Sequence, residues 1–182
     1  MTDLDILRTS FVAFIDGLWW GLRENTGPLS MYEGYGGGFK QMGEEIAEAN
    51  GGKGAEAAAE IAGQIFRAIG LDVEINKREV IVKSCPVWNR ILEKGLEFSF
   101  HVETICWMPM LEGIGEKTKS KPKAEASLRL IHIDKAKAEY KISKAKKSLE
   151  KGTITKEDYD KQIGLLEKSL EGPTRYGLYR FE

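Results

Sequence analysis

The chain has 182 residues, 42% of them apolar and 30% charged, so it can bury one domain-sized core and disorder is not expected. Its 27 basic and 28 acidic side chains give a net charge of −1, which excludes a generally basic nucleic-acid binder, and its two cysteines are too few for a disulfide scaffold or a four-cysteine zinc site. No apolar run approaches the roughly 20 residues that span a bilayer, and the N-terminus lacks the basic start of a signal peptide, so we expect a cytoplasmic protein without a membrane span.

The N-terminal half reads as three helices. Apolar residues recur at helical spacing over residues 4–24, and a third helix is expected from Gly54 to Ile69. Between them, residues 25–38 hold five glycines and predict a breaker-rich connection before a second helix at 39–49. Residues 71–76 and 80–85 then alternate between apolar and polar side chains around Lys77-Arg78, which predicts a β-hairpin.

The middle of the chain predicts further helix and a second hairpin. Pro86 can open a short helix at 87–94, and the largely apolar stretch from Phe98 to Gly113 is typical of a buried helix, kinked at Pro109. Residues 124–133 and 137–142 alternate around Asp134-Lys135, which predicts two more strands.

The C-terminal part predicts a helical hairpin, with helices at 144–151 and 155–170 separated by Gly152. The tail from Thr174 to Glu182 can add an edge strand or dock in a groove. The element order therefore predicts an α+β fold, in which an antiparallel sheet of about four strands packs on helices and a C-terminal helical hairpin follows. We place the domain boundary between a ligand-binding domain at 1–143 and a hairpin and tail at 144–182.

Charge is unevenly distributed along the chain. Residues 117–151 carry 12 basic and 4 acidic side chains. A solvated lysine-rich face explains this excess, and a patch for an acidic partner or nucleic acid is the alternative. Few aromatic side chains lie among the lysines, so the pattern does not favour nucleic-acid binding.

A few short motifs resemble one known family. They are Cys85-Pro86 at a strand end, Cys106 on the following helix, Leu111-Glu112-Gly113, and the turn Ile133-Asp134-Lys135. This order is similar to that of the 4-vinyl reductase-like, or hydrocarbon-binding, domains over about residues 5–143. The resemblance implies a fold shared with the TRAPP transport-complex subunits, an internal apolar cavity, frequent dimerisation and small-molecule sensing. The family often has further cysteines on its last hairpin, which this chain lacks, so a metal or multi-thiol centre is in doubt.

Aromatic residues are the main ligand-binding candidates. Four tryptophans fall within residues 19–107, two of them beside breaker-rich segments, and they could surround one cavity or simply fill the core. His101 lies among apolar neighbours and is the better of the two histidines for a pocket. We therefore predict a ligand-binding set of Trp19, Trp20, Tyr32, Tyr35, Trp88, His101 and Trp107.

The two cysteines are candidates for redox chemistry. Cys85 and Cys106 could lie close together at a strand end and on the facing helix, as the resemblance implies. They could equally be reduced, buried small hydrophobic residues. No spacing typical of a metal site is present, so no metal is predicted, and the sequence names no cofactor.

The favoured function is binding of a small hydrophobic molecule in an internal cavity, as a sensor or carrier. An enzyme such as a reductase or hydrolase acting on a pigment or heterocycle is one alternative, and a structural adaptor is another. We expect a homodimer, because the short helices 144–151 and 155–170 must bury their apolar stripes against the body or a second chain.

Overall fold

The computed structural model describes residues 1–94, 102–170 and 177–182. The chain forms two compact units, one of Met1–Ser127 with Tyr176–Glu182 and one of Leu128–Arg175. The helices of the first unit are α1 (Asp3–Thr26), α2 (Pro28–Asn50), α3 (Gly54–Ala68), α4 (Pro86–Lys94), a π-helical turn (Glu103–Trp107) and α5 (Met108–Thr118). Its strands are β1 (Asp72–Asn76), β2 (Glu79–Ser84), β3 (Pro122–Ala126) and β4 (Gly177–Phe181).

The four strands form one antiparallel sheet in the order β1-β2-β4-β3, which confirms the predicted α+β class. Val80, Val82, Tyr179 and Phe181 are buried on one face of the sheet. This face meets α3, where the Phe66 ring lies 6.1 Å from that of Tyr179 between centroids. On the other face Arg180 pairs with the carboxylates of both neighbouring strands, Glu79 and Glu125.

Helices α2 and α5 cross at very short range because each contributes a glycine at the crossing. A Cβ atom built on Gly43 would lie 2.1 Å from the carbonyl oxygen of Met110, and one built on Gly113 would lie 2.2 Å from that of Lys40. Such distances are far inside van der Waals contact, so only glycine allows the two backbones to touch at both points.

The predicted connection at 25–38 is wrong, because residues 28–50 are one continuous helix. Pro28 occupies its first turn, where its missing N–H costs nothing, and Gly27 with φ +82° makes the break from α1. The glycines at 34 and 36–38 do not break α2, because another face of the helix packs large or closely fitting residues against the core. That face consists of Met31, Tyr35, Phe39, Gly43 and Ala47.

The predicted helix at 98–113 needs correction at its C-terminal end. Residues 98–101 lie outside the described residues, and the helix continues through Gly113 and Gly115 to Thr118. It ends where Lys119 adopts the left-handed conformation, with φ +61°. Pro109 lies in the first turn of α5, directly after the π-helical turn.

The second predicted hairpin is also wrong. Residues 122–126 do form β3, but residues 128–150 form the helix α6 (Leu128–Glu150), and β3 pairs with the tail strand β4 instead. Lysines and alanines favour helix here, and the pairs Lys135–Glu139 and Asp134–Lys137 lie at helical spacing.

The second unit is a helical hairpin of α6 and α7 (Lys156–Leu170). Gly152, with φ +67°, lies in the connection, and the Thr155 hydroxyl accepts a hydrogen bond of 3.1 Å from the backbone N–H of Asp158. The predicted helical hairpin is therefore present, but its first helix begins at Leu128. The predicted domain boundary at residue 143 falls inside α6, and the tail strand belongs to the first unit.

Candidate functional site

Several predicted pocket residues pack directly against one another in the core. Tyr35 of α2 lies between Trp19 of α1 and Phe39, with ring centroids 6.0 Å and 6.3 Å away. Phe39 in turn meets the edge of Trp107 at 5.7 Å. Trp107 also meets Phe66 at 5.4 Å, so the rings form one continuous cluster from α1 to the sheet. Tyr35 and Trp107 are therefore packed among other rings, and α1 contributes Trp19 and Phe11 to the cluster.

Trp19 borders a small apolar pocket between α1 and α4. The pocket has a volume of about 30 Å³, which is room for roughly one water-sized group. It is lined by Val12, Ile15, Asp16, Trp19, Val87, Arg90 and Val102. A space of this size cannot hold a whole hydrophobic ligand, so it admits only the end of one.

A larger open cleft adjoins this pocket on the same two helices. It has a volume of about 370 Å³, within the usual range for small-molecule sites. It is lined by Arg8, Thr9, Val12, Gly70, Pro86, Asn89 and Arg90. Val12 and Arg90 line both spaces, so the apolar pocket and the polar cleft are contiguous.

The cleft is cationic, and both guanidinium groups are held in place by other contacts. Arg8 donates from Nε to the carbonyl oxygen of Ala68 at 3.1 Å and from Nη2 to that of Arg67 at 2.6 Å, at the C-terminal end of α3. Arg90 donates from Nε to the carboxylate of Asp16 at 2.8 Å. A guanidinium carries five N–H donors, so these bonds orient the two groups and leave donors for an anion in the cleft.

Other predicted site residues lie away from this cleft, or outside the described residues. Trp20 is half-buried beneath the guanidinium of Arg23, at 5.7 Å, and Tyr32 is half-buried on α2. Trp88 is buried at the start of α4, where its backbone N–H donates to the Cys85 sulfur at 3.4 Å. His101 lies outside the described residues. The structure thus brings together Trp19, Tyr35 and Trp107, but not the whole predicted set.

Both cysteines are buried free thiols. Burial raises the pKa of Cys85 to about 11, and burial together with the nearby Cys85 raises the pKa of Cys106 well above its ordinary value. Because both stay protonated at neutral pH, neither is the thiolate that redox or nucleophilic chemistry requires.

A half-buried carboxylate, that of Glu103, lies beside Tyr179. Glu103 is in the π-helical turn, and burial, followed by the negative charge of Glu103 and hydrogen bonding to it, raises the pKa of Tyr179. One carboxylate oxygen, Oε1, is buried without a hydrogen-bond partner among the described residues. Across those same residues, no group of three or more His, Cys, Asp and Glu side chains could hold a metal ion.

The sequence interpretation missed the polar part of the site, namely Arg8, Asp16 and Arg90. The sequence did contain a signal for Asp16. Asp16 follows Ile15 on the face of α1 that also carries Val12 and Trp19, and a charged residue on such a face needs a partner. Its partner, Arg90, is 74 residues away, and no local pattern joins the two.

Comparisons with family models, curated proteins and solved structures gave no match for this chain. The resemblance to 4-vinyl reductase-like domains therefore stays a sequence-based prediction. Within the described residues, we find no helix with the length and apolar character needed to cross a membrane.

Proposed function

We propose that the protein binds a small amphipathic acid in the cleft between α1 and α4. The observation that carries this proposal is the contiguity of the apolar pocket and the arginine-lined cleft through Val12 and Arg90. The open cleft has room for the body of a small molecule. The small apolar pocket takes one apolar end of the ligand, beside the Trp19 ring.

The anionic group of the ligand would lie beside Arg8 and Arg90. Both guanidinium groups are fixed before the ligand arrives, which lowers the entropic cost of binding. Thr9 and Asn89, which also line the cleft, add neutral hydrogen-bonding groups. An uncharged hydrocarbon would gain nothing from these charged donors, so the proposal narrows the expected hydrophobic ligand to one that carries a carboxylate or a similar group.

Binding is favoured over thiol-based catalysis because both cysteines are buried and protonated. An enzyme acting on a pigment or heterocycle and a structural adaptor stay sequence-based predictions.

The test is calorimetric titration with three probes: octanoate, octanol and acetate. Octanoate carries both the chain and the charge, so it should bind most tightly. Replacing Arg8→Gln should weaken octanoate binding about tenfold, the value of a charge-assisted hydrogen bond. Arg23→Gln is the matched control because Arg23 lies on the same helix and does not line the cleft.

Tryptophan fluorescence locates the ligand independently. Octanoate should change the emission of the wild-type protein and of Trp20→Phe, but not that of Trp19→Phe, because Trp19 borders the pocket. Equal binding of octanoate and octanol, or equal loss of affinity in the two arginine variants, would contradict the proposal.

A further inference from the structure

The helical hairpin of the second unit carries an open groove that the proposed function does not use. The groove is formed by α6, α7 and their connection, and it has a volume of about 440 Å³. Lys141 and Lys144 supply its charged groups. Its apolar lining residues are Ala145, Ile154 and Leu166, and its neutral polar ones are Ser148 and Gln162. None of these lining residues, all in the described part of the chain, is acidic, so the groove combines positive charge with apolar surface.

The two lysines belong to a row on α6 that contains no acidic residue. We call this row the lysine flank, and it consists of Lys137, Lys141, Lys144 and Ser148, at steps of four, three and four residues. These steps keep the four side chains on one side of the helix. All three lysines are exposed. Asp134, one turn before the row, lies 3.8 Å from Lys137 between Oδ1 and Nζ and does not line the groove.

The other flank of α6 has a different charge pattern. Its row alternates in sign and consists of Lys135, Glu139, Lys146 and Glu150. Lys135 and Glu139 lie 3.9 Å apart between Nζ and Oε1, and the second pair has the same helical spacing. The charges of this row therefore compensate one another, whereas those of the lysine flank do not. Like charges one turn apart destabilise a helix, so an anionic occupant of the groove would remove an unfavourable interaction.

The hairpin also buries few of its own apolar side chains. Among the residues of the second unit whose burial the structure describes, only Ala138 and Ala145 are buried. Larger apolar side chains, such as Ile142, Ile154 and Leu166, stay half-buried. A third helix laid in the groove would cover Ile154 and Leu166 and remove more apolar surface from water.

We propose that this groove docks an acidic amphipathic helix of another protein. The three lysines of the lysine flank span roughly 10 Å along α6, at a rise of about 1.5 Å per residue. Carboxylates on a docked helix, at the same alternation of three and four residues, would meet Lys137, Lys141 and Lys144. Its apolar side chains would lie on Ile154 and Leu166. This proposal concerns the second unit alone and does not rest on the cleft between α1 and α4.

The lining of the groove argues against nucleic acid and lipid as occupants. Single strands stack on aromatic side chains, and no aromatic ring is among the described residues that line the groove. A phosphate backbone offers charge but few apolar groups for Ile154 and Leu166. A lipid surface is flat, so it would reach the exposed lysines and not the apolar residues inside the groove. An acidic helix uses both parts of the lining.

The test measures the binding of three labelled 18-residue peptides by fluorescence anisotropy. The first is a designed helix with leucine at heptad positions a and d and glutamate at e and g, where like charges keep it from pairing with itself. The second has glutamine in place of every glutamate, and the third has serine in place of every leucine. The first peptide should bind at micromolar concentration, about tenfold or more tightly than either of the others, because only it offers both charge and apolar surface.

A pair of variants locates the bound peptide. Lys141→Glu with Lys144→Glu should weaken binding of the first peptide about tenfold or more, because two attractions become repulsions. The matched control, Lys135→Glu with Lys146→Glu, makes the same change in net charge on the other flank of α6 and should bind like the wild-type protein. All four side chains are exposed, so both variants should keep the wild-type circular dichroism spectrum. An equal loss of affinity in the two variants would overturn the proposal.

A charge-swapped peptide keeps the test independent of the stability of one variant. A peptide with lysine in place of every glutamate should bind the Lys141→Glu, Lys144→Glu protein more tightly than it binds the wild-type protein. Failure of this rescue, although both dichroism spectra are native, contradicts docking in the groove.

Other occupants of the groove would give other results. If a DNA oligonucleotide or vesicles of phosphatidylglycerol bind through Lys141 and Lys144 while the first peptide does not bind, the acidic helix is the wrong partner. Light scattering tests for a second copy of the chain. A dimer that the wild-type protein forms and the Lys141→Glu, Lys144→Glu variant loses would show that the groove holds a second copy, and it would overturn the proposal.

Discussion

The crossing of α2 and α5 gives the sharpest test of the fold. We expect Gly43→Ala to destabilise the first unit, because the new methyl group would lie 2.1 Å from the Met110 carbonyl oxygen, 3.0 Å from its carbonyl carbon and 3.2 Å from the Ile114 nitrogen. All three atoms belong to the backbone, so no side chain can rotate away and the helices must separate. Overpacking of this kind costs about 1–3 kcal/mol or somewhat more.

Two opposing effects set the net change in unfolding free energy. Alanine favours helix over glycine by about 0.5–1 kcal/mol, which offsets part of the steric cost. We therefore expect Gly43→Ala to lose about 2 kcal/mol of unfolding free energy, or roughly 4–8 °C in melting temperature for a chain of this size. Gly38 is the matched control in the same helix, since a Cβ atom built there meets nothing within 4 Å. Gly38→Ala should gain the helix preference and become slightly more stable.

Urea unfolding followed by tryptophan fluorescence measures the difference. All four tryptophans belong to the first unit, so the signal reports on the unit that contains the crossing. If Gly43→Ala proves as stable as Gly38→Ala, the close approach of the two helices is wrong.

Three further outcomes are expected. Cys85 and Cys106 should react with a thiol reagent only after denaturation, because burial keeps both protonated; rapid labelling of the folded protein would contradict this. Burial raises the pKa values of Tyr35 and Tyr179. The stability that these two tyrosines contribute is therefore full below about pH 10 and is lost at more alkaline pH. If ultraviolet absorbance shows that all tyrosines of the folded protein ionise near pH 10, this expectation is wrong. Tyr179→Phe should cost about 1–3 kcal/mol, because the half-buried carboxylate of Glu103 loses a hydrogen-bond donor, and an unchanged urea midpoint would argue against that bond.

Local patterns predicted the elements that are held together by neighbours in sequence. The first hairpin follows directly from alternation around Lys77, whose positive φ of 52° makes the turn. The face of α3 and the helical hairpin at the C-terminus are likewise visible as periodic apolar positions. In each case the residues that must contact one another lie within a few turns or one hairpin.

Pairings between distant segments were not predictable in the same way. The tail strand β4 lies inside the sheet because Tyr179 faces Val80 on one side and Ala124 on the other, and neither partner lies near it in sequence. Because the pairing of β3 with β4 was not foreseen, the sequence interpretation paired β3 with the segment that directly follows it. That segment alternates weakly, but it is rich in lysine and alanine and forms α6.

The same difference between local and distant contacts decides which residues of the candidate site could be predicted. Trp19 was predicted as a site residue because aromatic side chains are conspicuous in the sequence. Arg8 and Arg90 were not, because each acquires its role from a partner on another helix: the carbonyl groups at the end of α3 for one, and Asp16 for the other.

The second unit interrupts the sheet of the first between two strands that lie side by side, since Ala126 of β3 faces Leu178 of β4. As an unfolded chain, residues 128–175 would be a long loop whose ends must meet before these strands can pair. Once α6 and α7 have packed, the hairpin returns the chain toward its starting point, and the effective loop becomes several-fold shorter. That shortening lowers the entropic cost of closing the loop by roughly 1–1.5 kcal/mol. A hairpin that forms before the sheet closes therefore favours the pairing of β3 with β4.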